Sequence, residues 1–165
     1  MTATLRIDGA VARPGTLTAD DLHALTAVHQ IADVRELGAK RPGRGVRLLA
    51  LLELVGVQPS ATHVGLHAEC DDFHASIPLE PIVDRAIVIF ASLDGEANEL
   101  PRSAGGPFRF FIPEHAACRA DEIDECANVK FLDRIELTVG KGFDNRPHDE
   151  DEHAKLHQRE NTGDH

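Results

Sequence analysis

The chain has 165 residues, 42% of them apolar, and a formal net charge of −11 at pH 7. A chain of this length buries about two thirds of its unfolded surface in one domain, and the acidic balance argues against a phosphate backbone or an anionic membrane as partner. With seven Phe and neither Trp nor Tyr, the core must come mainly from Leu, Val, Ile and Ala. The opening stretch "MTATLRIDGAV" has no basic region followed by an apolar run, so it does not read as a secretory signal. No window approaches the length of a membrane span. Three cysteines in such a chain read as reduced thiols or metal ligands before disulfides, and the expectation is a cytoplasmic protein.

In chain order, "TLRID" predicts a short strand ending at Gly9. "LTADDLHAL" predicts a helix start, with Thr18 as N-cap, Asp21 at the third helical position, and Leu22 and Leu25 facing inward. "VRLLALLELVG" is the clearest helix, because Leu48, Leu51, Leu52 and Val55 follow one apolar stripe and Gly56 stops it. "THVGLHAECDDFHASIP" predicts a hairpin with Asp71 and Asp72 in the turn. That register places Val64, Leu66, Ala68 and Cys70 on one face with Phe73, Ala75 and Ile77, which would bury Cys70 as an inert thiol. It places His67, Glu69 and His74 on the other face, with Glu69 opposite His74, either as a solvated polar pair or as ligands of a first-row metal.

"AIVIFAS" is a continuous apolar strand. "PFRFFIP", with Phe108, Phe110 and Ile112 alternating, and "VKFLDRIELTV" supply two more. Strands outnumber helices and do not alternate with them, which is an α+β pattern. Composition changes near Gly140. Residues 141–165 hold four Lys/Arg against seven Asp/Glu, with Phe143 and Leu156 as the only large apolar side chains. The expected division is therefore a folded domain over 1–140 and a disordered or weakly helical tail over 141–165, where His153 and His157 stand four apart.

Four segments in order carry a resemblance: "LRIDGAVARPGTLTADDLHAL", "GRGVRLLALLELVGV", "HAECDDFHASIPLE" and "LDGEANELPRSAGGPFRFFIP…VKFLDRIEL". Together they resemble the molybdopterin-binding domain of the sulfite oxidase family, over roughly residues 4–139. The resemblance implies a mixed-sheet, strand-rich α+β fold with a few short helices. It also implies a molybdopterin-dependent oxidoreductase working by oxygen-atom or electron transfer. Family members hold molybdenum through the dithiolene sulfurs of the pterin and one cysteine thiolate. Counting back from Gly45 by the family spacing lands on Asp33, and no Cys precedes Cys70. Asp33 is thus either a replacement ligand or an ordinary loop residue in a lineage that lost the cofactor. The resemblance carries Lys130 onto the lysine near the pterin phosphate and Arg109 onto the Arg of Gly-Gly-Pro-x-Arg. Arg41 and Arg44, in the Pro-Gly loop, and His67 complete the cofactor-binding candidates.

Between Pro113 and Lys130 the chain is longer than the family's usual link and spaces His115, Cys118 and Cys126 through an acidic loop. These three could hold zinc or iron, the two thiols could bridge, or they could be free. Two functions therefore stand side by side. One is a diverged molybdopterin oxidoreductase with a small-molecule substrate or a redox partner protein. The other is a cofactor-free binding or structural module with a Cys/His metal site in the loop. No haem-attachment or iron–sulfur spacing occurs, so electrons would have to come from another protein.

Overall fold

The computed structural model describes residues 2–93, 99–113, 123 and 127–146. Nine strands among these residues form two sheets. The first sheet joins β1 (Leu5–Gly9), β2 (Gly15–Leu17), β5 (His63–Ala68), β6 (Phe73–Pro78) and β9 (Arg134–Thr138) in the order β2-β1-β9-β5-β6. Its β1–β9 pairing is parallel and its other pairings are antiparallel, so the sheet is mixed. The second sheet joins β3 (Gln30–Ile31), β4 (Arg44–Arg47), β7 (Ile87–Ala91) and β8 (Arg109–Phe111) in the order β3-β4-β7-β8, all antiparallel.

The helices are short and sit where the sequence places them. Helix α1 (Ala19–His23) starts with a reciprocal capping box: the Thr18 hydroxyl accepts from the Asp21 amide and the Asp21 carboxylate accepts from the Thr18 amide. Helix α2 (Leu48–Val55) buries Leu48, Leu51, Leu52 and Val55 and ends at Gly56 in the left-handed region. Strand β4 runs directly into α2, so Val46 and Arg47 are strand residues rather than the helix's first turn.

Strand β7 is apolar throughout because both its faces are covered. Val88 and Phe90 join the main core with Phe108 and Phe110 of the neighbouring segment. Ile87 and Ile89 face the other way into a smaller cluster with Ile31, Val34 and Leu100. The Pro-Gly loop closes over that outer face. A Cβ at Gly43 would stand 2.9 Å from Ile89 Cγ2, and one at Gly45 would stand 2.6 Å from Ile87 Cγ2, so both glycines permit close approach to β7.

The hairpin corrects three expectations. Strand β5 ends at Ala68, and residues 69–71 form a 3₁₀ turn that lifts Glu69 and Cys70 off the ladder. His67, rather than Glu69, therefore pairs with His74. Cys70 is exposed instead of buried. His67 and His74 are buried instead of solvated, because residues 142–146 lie along β6 and cover them. The packed chain thus continues six residues past the boundary expected at Gly140, through a buried Asp144–Arg146 ion pair. His153 and His157 lie outside the described residues.

Candidate anion-binding cavity

The outer face of the second sheet, the loop over 36–42 and the turn over 102–105 enclose a cavity of about 1080 Å³. Its apolar floor is Ile89, Leu100 and Phe111, from the smaller core cluster. Lys40, Arg41 and Arg47 reach it from the Pro-Gly loop and β4, and Arg85 from the turn before β7. Arg102, Arg109 and Lys130 line the opposite side. Among the described residues, Glu36 and Asp84 are the carboxylate residues of the lining. Seven of the chain's 17 Lys and Arg thus converge in a protein of net charge −11. Among the described residues none of the seven is in an ion pair.

Arg109 is the most confined of them. Burial, and then the like charge of Arg41, push its guanidinium below the ordinary arginine value. Its hydrogen bond to the Ala104 carbonyl is long, at 3.4 Å. Gly105, at φ +91°, lies against it: a Cβ there would meet Arg109 Cδ at 3.1 Å and Lys130 Cγ at 3.2 Å. Bare backbone at this position leaves room for two cations to stand side by side. Arg41 is tied across the cavity mouth by donating to the Ser103 carbonyl at 2.7 Å. Arg102 stacks over the Phe131 ring, 4.8 Å from its centroid. Phe131 itself adopts φ +57°, an uncommon region for a bulky residue, and its amide donates to the Gly105 carbonyl. Such strain, on the order of 1–3 kcal/mol, persists where surrounding structure dictates it, often at binding sites.

Of the residues singled out in the sequence, Arg41, Arg109 and Lys130 meet in this cavity. Arg44 sits at a register shift between β4 and β7 and does not line it. Asp33 caps the 3₁₀ turn Val34–Leu37, accepting from the Arg35 amide and from the Arg35 guanidinium at 2.7 Å, and it too is outside the lining. Those Arg35 bonds hold its carboxyl below the usual aspartate range. His67 belongs to the first sheet, bonded to His74 and Glu136. His115, Cys118 and Cys126 lie outside the described residues. Among the described residues no cluster of three or more His, Cys, Asp or Glu could hold a metal ion.

Sequence reasoning missed Lys40, Arg47, Arg85 and Arg102. The first two had a signal, the basic run "KRPGR…R" in an acidic chain. Arg85 and Arg102 had none, because the pairing of β7 with β8 brings them in.

A family model described as "Oxidoreductase molybdopterin binding domain" matches residues 2–142. The chain belongs to this family. Among solved structures, the sulfane dehydrogenase SoxCD from Paracoccus pantotrophus superposes with a TM-score of 0.57 at 20% identity. The match covers 84% of this chain and 39% of that one, so the fold is shared while the chain spans well under half of its neighbour. A comparison with curated proteins finds no match. The molybdopterin-binding fold expected from sequence is therefore correct.

The cation-rich lining fits the phosphate of a molybdopterin, for which convergent Arg and Lys are the appropriate donors. The metal end is different. Among the described residues the lining supplies no thiol; Cys70, the described cysteine, is outside it, with the Arg102 guanidinium donating to its sulfur at 3.7 Å. No helix of the described residues is long and apolar enough to cross a membrane.

Proposed function

We propose that the cavity takes up molybdopterin with its phosphate end toward Arg41, Arg109 and Lys130, and that the domain serves oxygen-atom or electron transfer with a separate redox partner protein. The observation that carries this reading is the convergence of seven cations, none in an ion pair among the described residues, in an acidic chain of the molybdopterin-binding family. Arg109 is the partly desolvated member, beside the like charge of Arg41, and an anion there would offset both costs. Arg109 and Arg41 would bind and orient the phosphate, as forked donors that fix its direction as well as its charge. Gly105 keeps the approach between Arg109 and Lys130 open. Ile89, Leu100 and Phe111 would offer an apolar surface to a face of the pterin ring. Molybdopterin, when bound, supplies a dithiolene-held molybdenum competent for oxygen-atom and electron transfer. No residue of the described lining is assigned as its protein ligand.

A second reading is a binding module that retains the phosphate site without molybdenum. It is favoured by the engagement of Asp33 with Arg35 and by the thiol-free lining. One experiment separates the two. The full chain is made in a host that produces molybdopterin, then assayed for molybdenum and for released fluorescent pterin, beside Arg109→Met. Molybdenum and pterin near one per chain in the parent, both lost in the variant, support the oxidoreductase. Pterin without molybdenum supports the binding module. Neither pterin nor molybdenum in the parent removes the molybdopterin reading.

A further inference from the structure

The most unusual contact outside the cavity is between two buried histidines. His67 Nδ1 and His74 Nδ1 stand 2.8 Å apart across the β5–β6 pair. Each ring has a carboxylate at its far nitrogen: His67 Nε2 is 3.1 Å from Glu136 Oε1, and His74 Nε2 is 3.3 Å from Asp72 Oδ1. Gly65 makes room for the first of these, since a Cβ there would come within 3.0 Å of His67 Nε2.

Counting protons shows what the row requires. It contains three polar contacts, carboxylate to ring, ring to ring and ring to carboxylate, and each needs one hydrogen. Ionised carboxylates bring none, so the four ring nitrogens must hold three. Two neutral rings bring only two and leave lone pair against lone pair at one contact. Two charged rings bring four and set N–H against N–H at the centre. Only one imidazolium beside one imidazole satisfies all three contacts. A metal between the rings fits less well. Zinc at about 2.0–2.1 Å from each nitrogen in tetrahedral geometry separates them by roughly 3.3 Å, wider than the 2.8 Å observed.

We propose that His67 and His74 form a buried proton-binding site that holds one shared proton at neutral pH, and that this site clasps residues 142–146 onto β6. The clasp is built on His74. Its amide donates to Asn145 Oδ1 at 2.8 Å and its carbonyl accepts from the Asn145 amide at 2.9 Å. Asn145 Nδ2 donates to the Asp72 carbonyl, and the Phe143 ring lies 5.1 Å from the His74 ring. A fourth ring proton, added on acidification, forces one imidazole away from the other. His67 is held by β5 between β6 and β9, so His74 yields and the clasp loosens.

Charged groups face the row from β9, from the hairpin turn and from the clasp. From β9, Glu136 faces His67 and is itself bonded to Arg134. Asp133 stands near both rings and accepts from the Glu69 amide; burial, with the charge of Glu69, raises its carboxyl above the ordinary value. Asp72 is the solvent-facing end of the row. On the clasp, burial raises the Asp144 carboxyl, but the bonds from Arg146 and Ser76 outweigh it and leave it below the usual range. Asp144 therefore stays charged at pH 5.

The test is nitrogen NMR on the ¹⁵N-labelled full chain. At pH 7 a scalar coupling between the two Nδ1 atoms is expected, carried through the shared proton. Near pH 5 the coupling is lost, and exchange of the Asn145 amide, corrected for its intrinsic rate, rises about tenfold relative to the amides of β5. In His67→Gln the acid-induced rise at Asn145 disappears. Absence of the coupling at pH 7 overturns the shared proton. A clasp that opens on the same pH profile in His67→Gln overturns the switch, because the titrating group then lies elsewhere. The coupling measurement uses the parent chain alone, so it decides the first point even if the variant does not fold.

Discussion

Replacing Arg109 with Met separates what the cavity costs the fold from what it does for a ligand. The side chain keeps its length and apolar stem but loses a confined charge whose internal partner is one long bond to the Ala104 carbonyl. The like charge of Arg41 opposes it; repulsion between two neighbouring unit charges at an effective dielectric near 20 is on the order of 2 kcal/mol. Salt and the exposed Arg41 end reduce that to about 1 kcal/mol. The variant is expected to melt about 2–4 °C higher than the parent in anion-free buffer. Pyrophosphate reverses the comparison in kind. At a hundred times its Kd it stabilises the parent by about 2.7 kcal/mol. Losing one charge-assisted bond, worth about 1.5–3 kcal/mol, weakens binding tenfold or more and lowers the gain in the variant to about 1.4 kcal/mol or less. Thermal unfolding with and without pyrophosphate measures both effects. A variant that melts lower without anion, or that gains as much from pyrophosphate as the parent, refutes the account of an uncompensated anion site.

Further outcomes follow from single positions. Gly106→Ala places a Cβ against the Leu100 backbone carbonyl, and the variant is expected to unfold or to lose the cavity wall, read by circular dichroism and by loss of the pyrophosphate shift. Asp144→Asn removes the carboxylate charge that faces the buried Arg146 guanidinium and is expected to cost about 3 kcal/mol, measured by urea unfolding. Because Asp144 is depressed in the folded state, its contribution is fully present above about pH 4 and is lost as pH falls through its lower folded value. The stability difference between parent and Asp144→Asn should therefore shrink only below about pH 4. Cys70, exposed on its 3₁₀ turn, is expected to be alkylated in the native protein, with peptide mapping as the readout, and Cys70→Ser should leave the melting temperature unchanged.

Much of the fold was legible in local chemistry. The capping box at Thr18, the apolar stripe of α2 with Gly56 behind it, and the alternation of Phe108, Phe110 and Ile112 are decided within a few residues, so spacing alone reveals them. The order of four such segments was enough to indicate the molybdopterin-binding domain, and the basic run from Lys40 to Arg47 marked one wall of the cavity. What stayed hidden depends on pieces distant in sequence. Cys70 and the partner of His74 were misplaced because a one-turn 3₁₀ element takes residues 69–71 off the ladder, which moves the register by two residues and carries Cys70 out of the sheet. The histidines looked solvated because the segment that covers them starts beyond position 140, in a stretch whose composition reads as tail. Asp33 stood where a ligand belongs by spacing, and only tertiary structure shows its carboxylate committed to Arg35. The sequence by itself determined the elements, the family and the acidic balance, since these follow from local periodicity and composition. Tertiary structure decided which cations share a cavity and which two imidazoles share a contact, because convergence of charge is a property of distance in space.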